Sequence, residues 1–143
     1  MIQIPQNLCT EITDKQASSV QGGLKVTIDT IKAIEVGADK GSDFFDFVSF
    51  LANDDTQLFI NGKLARDFGG ESFGNGSIRK PGITQDIGKS GTIKLVDSDK
   101  GNFLRGGDDP MGSFTVNGPT NGLVTKTISG SGSTYDVTYS VSA

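Results

Sequence analysis

Residues 134–141, Thr-Tyr-Asp-Val-Thr-Tyr-Ser-Val, alternate apolar and polar side chains without a break. That period of two belongs to a strand with one face buried, and no helix can bury such a pattern. The stretch 24–36 alternates over much of its length in the same way. Between them lie further short runs at 44–51, 57–60, 63–66, 92–96, 112–116 and 123–128. Asn61-Gly62 separates two of these runs and is the strongest short hairpin signal. Gly69 to Lys89 is Gly-rich and weakly patterned, and reads as a long loop with one weak strand. The fold expected is all-β, an antiparallel eight-stranded β-sandwich. Twenty glycines in 143 residues suit a turn-rich globular chain.

Composition removes several chemistries. The chain has no His, no Trp and one Cys. A Ser-His-Asp triad, a Cys-His dyad, a zinc site of His and Cys and an internal disulfide are therefore excluded. The net charge is −4, without the basic footprint of a nucleic-acid binder. No apolar run approaches the ~20 residues of a membrane-spanning helix. Paired carboxylates could serve glycoside hydrolysis, but no Trp platform for a sugar exists, so the chain is read as a non-enzyme.

The first 23 residues follow a different rule. Thr13 and Gln16 fit a capping box, Ile12, Ala17 and Val20 fall near one helical face, and Gly22-Gly23 ends the helix. Ile12, Thr13, Gln16, Ala17, Val20, Gly22 and Gly23 resemble the double-glycine leaders of bacteriocin-type bacterial peptides, with Gln16 where Glu is usual. The resemblance implies a leader helix over 1–23, gripped by an export transporter with a leader peptidase and cut after Gly23. The domain would then be residues 24–143. Cys9 lies in the leader, so the exported part would contain no thiol. The implied destination is the medium or the cell surface.

Two acidic loops carry the remaining signal. One holds Asp39, Asp43 and Asp46. The other runs from Asp97 and Asp99 through Phe103, Leu104 and Arg105 to Asp108 and Asp109. A sandwich puts both loops at one end. Carboxylates converging there repel one another unless a cation sits between them, and hard oxygen donors select Ca2+. The strand ending Asp97-Ser98-Asp99, followed by Asp108-Asp109-Pro110-Met111-Gly112, resembles a C2-type calcium-binding sandwich. The resemblance implies a calcium site of Asp97, Asp99, Asp108 and Asp109, with Asp43 or Asp46 from the other loop. Asp55 and Asp67 are expected near the hairpin, away from this site. Phe103 and Leu104, at a loop tip between Lys100 and Arg105, are candidates for membrane or partner contact.

The function expected is that of an exported calcium-binding sandwich acting in surface, matrix or partner attachment. One alternative is a structural subunit that forms homo-oligomers or fibres by strand-edge pairing once the leader is gone. Another is a calcium-dependent membrane-docking module.

Overall fold

The computed structural model of the chain is described for residues 22–37, 54–69, 71, 73–98 and 108–143. Every element among them is a strand: β1 (Leu24–Glu35), β2 (Thr56–Ile60), β3 (Lys63–Asp67), β4 (Ile78–Arg79), β5 (Ile83–Gly88), β6 (Gly91–Asp97), β7 (Asp109–Val116), β8 (Val124–Gly130) and β9 (Ser133–Ser142). They make two antiparallel sheets. The first has the order β4-β1-β9-β8, with β5 also on β1, and the second β3-β2-β6-β7. The leader helix and the strand expected at 44–51 lie outside the described residues.

Alternation decides which face is buried. In β9, Ser133, Tyr135, Val137, Tyr139 and Val141 turn inward, and the residues between them are half-exposed. β1 has a complication, because its buried residues are Val26, Ile28, Ile31 and Ala33. Ile31 lies three positions after Ile28, an odd step that would send it to the solvent face. A register shift against β9 between Ile28 and Thr30 absorbs the extra residue and returns Ile31 to the core. Opposite them, Leu58, Ile60, Ile93, Leu95 and Met111 of the second sheet are fully buried. The core is the space between the sheets.

The Asn61-Gly62 hairpin forms as expected. Both residues have positive φ, 52° and 73°, which suits the twist of the flanking strands. The Asn61 side chain also accepts from the Thr92 N–H at 2.9 Å, tying the turn to the start of β6.

Nine strands stand among the described residues where eight were expected in the whole chain. The difference includes the glycine-rich stretch, which holds two strands, β4 and β5, instead of one. β5 pairs with β1 from Leu24 to Ile28, and β4 at Ile31 and Lys32. Of β5 only Ile87 is buried, so its sequence carries little alternation. The exposed ladder of β1 makes the strand.

Register gathers the carboxylates. Thr56 of β2 faces Asp97 of β6, and Asp97 faces Asp109 of β7. On the other sheet Glu35 faces Thr134 at the start of β9. The two sheets approach closely at this end. A Cβ added to Gly130 would fall 2.5 Å from the Pro110 carbonyl oxygen, so only glycine allows β8 to lie against β7 there.

Candidate functional site

β6 ends in Leu95-Val96-Asp97, all three buried, with Asp97 only 2% exposed. A register shift against β7 between Leu95 and Val96 breaks the simple alternation just before the acid. One Asp97 oxygen accepts the Asp55 N–H at 2.6 Å, and the Ser98 N–H donates to the Asp55 carbonyl at 3.0 Å. Ser98 Oγ lies 3.3 Å from an Asp108 carboxylate oxygen, to which it donates. The described structure places Asp97, Asp108 and Asp109 at one end. Asp43, Asp46 and Asp99, with Phe103 and Leu104, lie outside the described residues. Gly22 and Gly23 sit at the opposite end, where β1 begins.

Asp55 corrects its expected place. It adjoins Asp97 because β2 pairs with β6 in a register that sets Thr56 opposite Asp97. Asp67 is at this end too. It faces Gln57 across the hairpin, accepts from Gln57 Nε2 at 3.0 Å and takes the Gly69 N–H at 2.8 Å. Counting six residues back from Asn61 to Asp55, or five on from Gly62 to Asp67, reaches the far end of the sheet, a step the sequence would have allowed.

Beneath the acids lies a buried polar cluster that the sequence reading missed. Asp54 is fully buried, and one of its oxygens accepts from Ser133 Oγ and from Tyr135 Oη, each at 2.7 Å. Ser133 Oγ in turn accepts the Gly37 N–H at 2.9 Å. One hydroxyl thus bridges Gly37 and Asp54, the residues that bound segment 38–53. The backbone of Asp54 is fixed by two hydrogen bonds with Phe73, and the Phe73 ring stands edge-on to Tyr135 at 5.7 Å. Thr56 Oγ1 lies 3.4 Å from Tyr135 Oη. Burial pushes the Tyr135 phenol well above its ordinary range. The Thr56 hydrogen bond opposes that rise, while the hydrogen bond to Asp54 and the charges of Asp54 and Asp97 add to it. Tyr135 is held as a donor to Asp54.

The cluster joins the sheets, since Asp54 leads into β2 and Ser133 and Tyr135 belong to β9. It positions the acidic end rather than presenting ligands. Among the described residues no three His, Cys, Asp or Glu side chains close around a common point. Segments 38–53 and 99–107, which carry Asp43, Asp46 and Asp99, both start and finish at this end, because Gly37, Asp54, Ser98 and Asp108 are there.

No family model matches the chain, and no curated protein does. A solved structure described as "Structure of a C2 domain" is similar at 11% identity, covering 84% of this chain and 99% of that one, with a TM-score of 0.49.

Proposed function

We propose that the chain is a non-catalytic calcium-binding β-sandwich, exported from the cell and acting by attachment to a surface, matrix or partner. The observation that carries the reading is the register of β2, β6 and β7, which collects Asp55, Asp97 and Asp109 at one end. Ca2+ takes about 6–8 oxygen ligands, so Asp97, Asp108 and Asp109 would need Asp99 and Asp43 or Asp46 to complete a site. The donor set is hard oxygen throughout, and the chain has no His to offer a softer metal. Support for export comes from Gly22. It is exposed, and a Cβ there would meet nothing within 4 Å among the described residues, so packing against them makes no demand for glycine at that position. A leader peptidase with a narrow channel does.

Calcium in hundredfold excess over Kd would add about 2.7 kcal/mol to unfolding, and EGTA would remove it. Asp109→Asn should weaken calcium at least ~10-fold by titration calorimetry, because a charged ligand is lost while an oxygen remains. Asp86→Asn, on β5, should bind normally. A melting temperature unmoved by EGTA overturns the calcium reading, and equal losses in both variants would mean diffuse surface charge.

Strand-edge assembly is the second reading. β3 forms one edge of its sheet, no residue of it is buried, and Leu64 is 51% exposed. Sedimentation with and without calcium separates the two readings, since edge pairing needs no metal.

A further inference from the structure

We propose that the Gly23–Leu24 bond is hydrolysed only before β1 takes its place in the sheet, so that the unfolded chain is the substrate of the leader peptidase. The proposal rests on the leader reading above and adds an order of events to it. In the hydrolysis, water adds to the Gly23 carbonyl carbon and the bond to the Leu24 nitrogen breaks. Gly23 is left as a carboxylate and Leu24 as an α-ammonium.

A peptidase binds the residues flanking its target bond in extended form, through their backbone N–H and C=O groups. In the folded chain the residues after the bond are already engaged. Leu24 is paired with Gly88 of β5. Lys25 is paired with Asp86 on one side and Ser142 of β9 on the other, and its ammonium lies 3.9 Å from the Asp86 carboxylate. Val26 is paired with Gln85 and Val141, and its side chain is fully buried. From Lys25 to Ile28 β1 is paired on both sides, with β5 and with β9. The residue before the bond is exposed but lies against β5 on one side: a Cβ on Gly23 would come 3.3 Å from the Gly88 Cα.

Fraying of Leu24 alone costs little, but freeing three residues past the bond means withdrawing Val26 from the core. Cleavage of the folded chain would then follow the small population in which the start of β1 is open.

The test uses a purified double-glycine leader peptidase domain on the full-length chain. Val137 is fully buried in β9 and pairs with Ile31, far from the bond. The Val137→Asp chain, checked for unfolding by circular dichroism, should be cut after Gly23 at least ~100-fold faster than the folded wild type. Should Val137→Asp fold, wild-type chain diluted from urea straight into the peptidase gives the same comparison, with cleavage stopping as the chain folds. Equal rates on folded and unfolded chains overturn the proposal and leave the leader reading intact. Failure to cut either chain after Gly23 overturns the leader reading and the proposal with it.

Discussion

The two ends of the sandwich are built from different materials. At the acidic end, side chains do the joining: Asp54, Ser133 and Tyr135 link the sheets, and Asp97 holds the Asp55 N–H. At the other end the close contact is made by backbone and lies within the first sheet, between the start of β1 and the end of β5. There Gly23 touches Gly88, and an open hollow of about 540 Å³ is lined by Gly22, Gly23, Leu24, Gly88 and the 117–119 turn, among others. The first end is sensitive to charge and hydrogen bonding, and at Gly130 to an added methyl group as well. The second, at Gly23, has only the backbone contact to disturb.

The largest effect should come from Asp54→Ala. It strips the acceptor from two buried hydroxyls and severs the link between sheets. Unfolding free energy should fall by about 3 kcal/mol or more in urea titrations, since charged hydrogen bonds contribute ~1.5–3 kcal/mol each. A loss under ~1 kcal/mol would make the acidic end no more dependent on side chains than its opposite.

Tyr135→Phe should cost about 1–2 kcal/mol at neutral pH, by removing one of the two donors to Asp54. It should also change the alkaline limb. The folded state raises the Tyr135 pKa, so the protonated phenol favours folding. That contribution is complete below the ordinary phenol value of about 10 and is lost as pH climbs above it toward the folded value. Wild-type stability should therefore drop steeply above about pH 10, and the Phe variant should drop less steeply. Parallel alkaline limbs would show that Tyr135 does not set the slope.

The smallest effect separates two neighbouring glycines. Gly22→Ala meets none of the described residues and should stabilise by up to about 0.5 kcal/mol, because Ala restricts the unfolded chain. Gly23→Ala must push against the Gly88 backbone and should destabilise by roughly 0.5–1 kcal/mol. Thermal melts of the two variants should shift in opposite directions. Equal shifts would dissolve the distinction between a glycine the fold needs and one it does not.

The sequence by itself determined the strands whose own side chains alternate. β9, most of β1 and the Asn61-Gly62 hairpin are all readable from neighbours within a few residues, because strand period and turn conformation are local properties. Tertiary structure alone decided what lies across the sheets. β4 and β5 exist because β1 offers them an open edge. Asp55 reaches Asp97, 42 positions on, through the pairing of β2 with β6. Asp54 meets Ser133 and Tyr135, 79 and 81 positions away, only once the two sheets have packed. An Asp in a turn is ordinary in any sequence. Burying it is tolerable only where partners arrive to hydrogen-bond it, and those partners are supplied by the other sheet.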